Sequence, residues 1–130
     1  MQALGRHVLL ELFDCNVKVL NNLETVKGGL VEAARRAHAT IVATTFHAFT
    51  PGGISAVVMI TTSHLAIHTW PEHRYAAVDI FSCGDVFKPE VAISHLVTLF
   101  AAERVSIVEV QRGVLVQSAA PLPHPPEPTA

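Results

Sequence analysis

Residues 54–83 read ISAVVMITTSHLAIHTWPEHRYAAVDIFSC. Three apolar runs stand in this stretch, Ile54–Thr61, His64–Trp70 and Tyr75–Cys83, with only a few residues between them and Pro71 at the second joint. Their β-branched and aromatic content predicts three strands. Connections this short join antiparallel neighbours, because a parallel crossover needs a dozen residues or more. Upstream, Pro51-Gly52-Gly53 reads as a turn and Thr40–Phe49 as a further strand. Arg6–Asp14 alternates cleanly, with Val8, Leu10 and Leu12 on one face and His7, Leu9, Glu11 and Phe13 on the other.

Two helices fit between these strands. Asn21 and Glu24 have the spacing of a capping box. Behind them Leu23, Val26, Leu30, Ala34 and Ala37 recur at helical intervals, although Gly28 and Gly29 each weaken a helix by ~1 kcal/mol relative to Ala. Pro89 opens the second helix, where its missing N–H costs nothing, and Ala92, Leu96, Leu99 and Phe100 form its apolar stripe. Val105–Val110 closes the series as a strand that Val114–Val116 extends. The order predicts an α+β fold, a two-layer α/β sandwich with a mainly antiparallel sheet and two helices packed on one face. Residues 1–118 are expected to form a single domain. Residues 119–130, within which Pro121–Ala130 hold five of the eight prolines, are expected to be a disordered tail.

The chain has 130 residues, 50% of them hydrophobic and only 15% charged. Soluble domains usually carry ~25% charged residues, so the apolar surplus points to self-association. A net charge of −2 and a pI near 6.4 do not suit a nucleic-acid binder, which works by neutralising phosphates. The two cysteines, Cys15 and Cys83, are too few for a disulfide scaffold and fit a reduced, cytoplasmic chain. Residues 37–71 contain no Asp, Glu, Lys or Arg, but His, Pro and Gly interrupt them throughout. Their most apolar piece, Ile54–Ile60, is far shorter than the ~20 residues of a membrane-spanning helix. No membrane association and no secretory signal are expected.

Chemistry concentrates between Thr62 and Glu72. His64 and His68 are four residues apart, ~13 Å on a strand, so they cannot share one metal ion on ~2 Å bonds. No metal is expected. Asp79 and Cys83 share a strand face, and Ser63, His68 and Cys83 are plausible partners in nucleophilic catalysis. Taken singly, they read equally well as a turn residue, a hydrogen-bonded histidine and a small packed hydrophobe. Phosphate loops, dinucleotide fingerprints and the Gly-x-Ser-x-Gly elbow are missing from the sequence.

The run Ser63-His64-Leu65-Ala66-Ile67-His68-Thr69-Trp70-Pro71-Glu72, followed by Tyr75 to Gly84, resembles the small prokaryotic S-adenosylmethionine decarboxylases. Leu4-Gly5-Arg6-His7, Phe46-His47, Phe49, Pro51 and Gly53-Ile54-Ser55 resemble the same family, so the likeness spans about Leu4 to Gly113. It implies a proenzyme that cleaves itself between Thr62 and Ser63, leaving a covalent pyruvoyl group derived from Ser63. It further implies that Ser55 and His68 assist processing, that Cys83 is the catalytic acid, and that Phe49, His68 and Glu72 hold the substrate. The fold it implies dimerises, with the sites at the subunit interface, and the expected partners are a small-molecule substrate and a second copy of the chain.

The chemistry is consistent with that likeness. A serine hydroxyl can attack its own preceding carbonyl, a shift that oriented hydrogen bonds such as one from Ser55 would assist. A neutral His68 is suited to removing the α-proton of residue 63. The resulting ketone can form a Schiff base with a substrate amine and take up electrons as carbon dioxide leaves. S-Adenosylmethionine treated in this way becomes the aminopropyl donor of spermidine synthesis, a polyamine pathway.

Some positions depart from the pattern. Thr62 stands where the family usually has Glu, His73-Arg74 where Tyr-Gly is usual, and Ser82 where Thr is common. Arg74 adds a cation that would suit a more anionic substrate than a sulfonium. The departures leave two other readings open, a decarboxylase of L-ornithine or L-arginine on the same scaffold and a non-cleaving regulatory homologue. Distance also raises a difficulty, because Ser63 and His68 lie ~16 Å apart along an extended strand. Either residues 61–64 fold back or a neighbouring strand or subunit supplies the partner group.

Overall fold

The computed structural model describes residues 2–115. Six strands form one antiparallel sheet: β1 (Gln2–Phe13), β2 (Ile41–Ala48), β3 (Ile54–Ile60), β4 (Ser63–Trp70), β5 (Tyr75–Ser82) and β6 (Arg104–Leu115). Their spatial order is β2-β3-β4-β5-β1-β6. The run from β2 to β5 is the expected meander. β1 then pairs with both β5 and β6. Helices α2 (Leu23–Arg36) and α3 (Pro89–Phe100) cover one face, which makes the two-layer α+β architecture expected from the sequence.

Three details differ from the sequence reading. A single-turn helix, α1 (Val17–Leu20), precedes α2 and is capped by the Asn16 side chain, which accepts from the backbone N–H groups of Lys18 and Val19. The N-cap of α2 is Asn22, whose side chain accepts from Thr25 N–H, and not Asn21. Asn21 ends α1 instead, and its side-chain Oδ1 accepts from Gly53 N–H at 3.2 Å. β6 is one twelve-residue strand that runs through Gly113, rather than a short strand with a separate extension. Val116 and the proline-rich segment lie outside the described residues.

Strand alternation sorts the side chains into two sets. Val8, Leu10 and Leu12 of β1, Ile54, Ala56, Val58 and Ile60 of β3, Leu65 and Ile67 of β4 and Ala76, Val78 and Ile80 of β5 are all buried toward the helices. They meet Val26, Leu30, Ala33 and Ala34 of α2 and Ala92, Leu96 and Phe100 of α3. Thr69 and Ser82 are the buried polar residues of this layer; the Thr69 hydroxyl donates to Leu20 O at 2.8 Å and accepts from Ile54 N–H at 2.9 Å. Gly29 lets the two helices approach, since a Cβ there would lie 2.1 Å from Leu99 Cδ2. Among the described residues no helix covers the opposite face of the sheet, and the candidate site residues project from that face and its ends.

Candidate active site

The β3–β4 hairpin turns through Thr61-Thr62, closed by the pair Ile60 and Ser63. The Thr62–Ser63 peptide therefore sits at the tip of a tight turn, partly accessible, with Ser63 as the first residue of β4. β4 pairs with β5 in the register His64↔Phe81. That register brings the end of β5, and the partly buried Cys83 just beyond it, to the same end of the sheet as Ser63.

His68 stands at the other end of β4, on the helix-free face. It is opposite Ser55 of β3, and Ser55 Oγ and His68 Nδ1 are 2.7 Å apart. Phe49 begins the β2–β3 turn at this same end, where its N–H donates to Gly53 O at 2.8 Å and the His47 ring meets it edge-on at 4.6 Å. Glu72 lies close by in sequence, exposed on the 3-10 turn Pro71–His73 that follows Trp70. The proposed residues thus form two groups. Thr62, Ser63 and Cys83 gather at one end of β4; Phe49, Ser55, His68 and Glu72 gather at the other. Because β4 is extended through its length, residues 61–64 do not fold back toward His68.

Asp79 and Cys83 do not share a local environment, contrary to what their common strand face suggests. They are four residues apart, ~13 Å along a strand. The Asp79 carboxylate is instead held by two histidines, with Oδ2 2.9 Å from His7 Nε2 and 2.9 Å from His64 Nε2. Burial raises the tendency of Asp79 to protonate, but the hydrogen bonds from His7 and His64 outweigh it and keep the carboxyl below its ordinary range. Arg112 Nη1 lies 3.1 Å from His7 Nδ1. A guanidinium only donates, so His7 Nδ1 accepts and its Nε2–H is given to Asp79.

His7, His64 and Asp79 are the one group among the described residues with three possible metal-ligand atoms in reach, all within 4.8 Å. A protonated His7 Nε2 has no lone pair for a metal, so the cluster reads as a hydrogen-bonded network. Alternation puts His7 on the face of β1 opposite Val8, Leu10 and Leu12, and the strand order is what brings Asp79 and His64 beside it.

A row of aromatic rings crosses the His68 end of the free face. Trp70 stacks on Tyr75 at 5.3 Å and Tyr75 on Phe13 at 5.4 Å. With His73 they line an open cavity of about 390 Å³. Tyr75 donates its hydroxyl proton to the Glu11 carboxylate; burial first, and that bond second, push its pKa up to about 12. Arg74 is occupied elsewhere. Its Nε donates to Cys15 O at 3.0 Å while its carbonyl accepts from Cys15 N–H at 3.0 Å, so it ties the 3-10 turn to the end of β1.

The family model described as S-adenosylmethionine decarboxylase matches residues 6–113. A curated relative from Thermodesulfovibrio yellowstonii, named S-adenosylmethionine decarboxylase proenzyme, is 51% identical over 124 residues, covering 95% of this chain and 92% of that one. A protein of the same name from Acidithiobacillus ferrooxidans is 45% identical over 121 residues, covering 93% and 91%. Among solved structures, the adenosylmethionine decarboxylase of Aquifex aeolicus superposes with a TM-score of 0.85 at 30% identity, covering 93% of this chain and all of that one.

Proposed function

The chain belongs to the S-adenosylmethionine decarboxylase family, and we propose that it is made as a proenzyme that cleaves itself between Thr62 and Ser63 and then decarboxylates S-adenosylmethionine. The observation that carries this reading is the intact Ser63–Glu72 segment, set on β4 with Ser63 at its turn and His68 paired to Ser55 at its far end. In the cleavage, the Ser63 hydroxyl attacks the Thr62 carbonyl. A C–O bond forms, the C–N bond breaks, and the hydroxyl proton ends on the freed amine. Removal of the Ser63 α-proton then expels the Thr62 carboxylate, and water releases ammonia to leave a ketone at residue 63.

The structure's residues suit a pyruvoyl group at that position. Ser63 opens a strand that is paired on both sides, so residue 63 stays anchored after the bond before it is cut. The group would supply a ketone that takes up the electrons of the departing carboxylate. Cys83 holds the proton to be delivered to the substrate. A thiol S–H is a proton donor, and Cys83 is partly accessible at the Ser63 end of the sheet. Phe49 presents an exposed ring for an aromatic base, and Glu72 an exposed carboxylate for the hydroxyls and positive charge of an adenosyl sulfonium.

Two groups of residues ~16 Å apart cannot act on one bond, so the active unit is a homodimer. A two-fold axis lying between two facing sheets, and crossing β4 near Ala66, reverses the strand direction. It sets the Ser63 end of one subunit against the His68 end of the other. Each site then takes Ser63 and Cys83 from one subunit and Phe49, Ser55, His68 and Glu72 from its partner.

The relatives named above do not favour the alternative substrates, and the Nε of Arg74, the cation that suggested them, is engaged by the Cys15 carbonyl. Cleavage is tested by intact mass. The wild-type chain of 14.0 kDa is expected to give two fragments, and Ser63→Ala a single chain. Wild-type protein that stays whole after long incubation overturns the reading in favour of a non-cleaving homologue.

A further inference from the structure

The cluster Arg112–His7–Asp79–His64 joins four strands, β6, β1, β5 and β4, on the helix-free face. Its last member follows the residue at which the chain is cut. We propose that Asp79 and His64 are positioning residues for self-cleavage: their hydrogen bond fastens the start of β4, and with it the Thr62–Ser63 peptide, to the body of the sheet. The proposal rests on the self-cleavage reading and adds the device that holds the scissile bond.

Several observations support it. The scissile peptide lies in a two-residue turn, where the strand end has only the Ile60–Ser63 pair on one side and the His64–Phe81 pair on the other. A strand end of this kind frays readily unless a side chain ties it down. His64 provides the tie diagonally across β5, since Asp79 is opposite Ala66 and Phe81 is opposite His64. His7 makes the mirror-image diagonal from β1, where it too is opposite Phe81. The Phe81 ring fills the space between the two imidazoles, 5.2 Å from His7 and 6.0 Å from His64. Gly5 gives that ring room, because a Cβ there would lie 2.5 Å from Phe81 Cε2. Across from Gly5, Arg112 stands over the same ring at 5.5 Å and donates to His7. The carboxylate is thus aimed by two donors, one imidazole is oriented by a guanidinium, and the other is left to hold the cleavage strand.

Reacting groups must be placed within a fraction of an ångström, and a displacement of ~1 Å can cost a hundredfold in rate. Asp79→Asn keeps the shape of the side chain and replaces the charged acceptor of both histidine bonds with a weaker, neutral one. His64→Gln puts an amide N–H where His64 Nε2–H stands, whereas the shorter amide of His64→Asn reaches only as far as Nδ1. The test is the rate of self-cleavage of newly made protein by intact mass, with thermal melting measured alongside. Asp79→Asn and His64→Asn are expected to cleave about tenfold to a hundredfold more slowly, at melting temperatures near that of the wild type. His64→Gln should recover most of the rate. Wild-type rates in both slow variants would overturn the proposal. So would a folded His64→Gln protein as slow as His64→Asn, since the ring would then be needed as a proton acceptor rather than a tether. If Asp79→Asn does not fold, the Gln and Asn variants of the more exposed His64 decide the matter alone. Two fragments from the wild type in the same experiment separate failure of this proposal from failure of the self-cleavage reading.

Discussion

Tyr75 shows how one side chain can report on the face that carries the chemistry. It is the only tyrosine in the chain, so the ultraviolet change on phenol ionisation belongs to it alone. Its hydroxyl is enclosed by the aromatic row and bonded to Glu11, which raises its pKa to about 12 in the folded protein. An exposed tyrosine ionises near ~10. The folded state therefore binds the phenolic proton more tightly than the unfolded state. The stabilisation is complete below the unfolded value and is lost as pH rises through the folded one. Spectrophotometric titration is expected to show no ionisation at pH 10 and a transition near 12. Half-ionisation at pH 10 with native circular dichroism would show that the Glu11 bond is absent. Residues of this kind expose the limit of reading single positions. The Ser63–Glu72 segment holds candidate groups such as Ser63 and His68, but the His7 bonded to Asp79 and the Glu11 bonded to Tyr75 come from β1, more than sixty residues away in sequence.

At the scale of elements, the adjacent glycines of α2 make opposite demands. Both lower helix propensity, and the sequence gives no ground for separating them. Gly28 has open space around it, while Gly29 faces Leu99 of α3 at a distance that admits no Cβ. Gly28→Ala is expected to stabilise the protein by about 0.5–1 kcal/mol, the gain in helix propensity. Gly29→Ala is expected to destabilise it by about 1–3 kcal/mol, because the Leu99 side chain must be forced from its packed rotamer to make room. Denaturant titration of both variants checks the pair, and equal effects would mean that α2 and α3 do not pack as described. The strands were legible because each alternates and is bounded by Pro, Gly or a short polar turn. α1 was not, since four residues carry too little periodicity to stand out. The α2 cap was misplaced by one residue because Asn21 and Asn22 are chemically equivalent as caps. Only the tertiary hydrogen bond of Asn21 to Gly53 tells them apart.

At the scale of the whole molecule, the helix-free face is where a chain so poor in charge exposes apolar side chains. Met59 and Val108 are each 52% exposed there, with Leu9, Val57, Trp70 and Val110 beside them. A face of this kind, covering ~800 Å² per subunit when paired, is an ordinary size for a stable dimer. Small residues, Ala66 and Ala77, occupy the middle of β4 and β5 on this side and permit close approach. The two-fold arrangement makes a prediction that no single-chain site can satisfy. Ser63→Ala lacks the cleavage serine, and His68→Ala lacks the processing histidine, so neither is expected to cleave when made alone. In a mixed dimer, the His68→Ala subunit keeps its own Ser63 and faces the intact His68 of the Ser63→Ala subunit. Co-expression of the two is therefore expected to yield cleaved His68→Ala chains, and only those, with decarboxylase activity appearing in the mixture. Differential tags and intact mass identify which chain has been cut. Were the site built within one chain, no subunit in the mixture would hold both residues and every chain would remain whole. Cleavage confined to mixed dimers would place the catalytic unit across the subunit boundary.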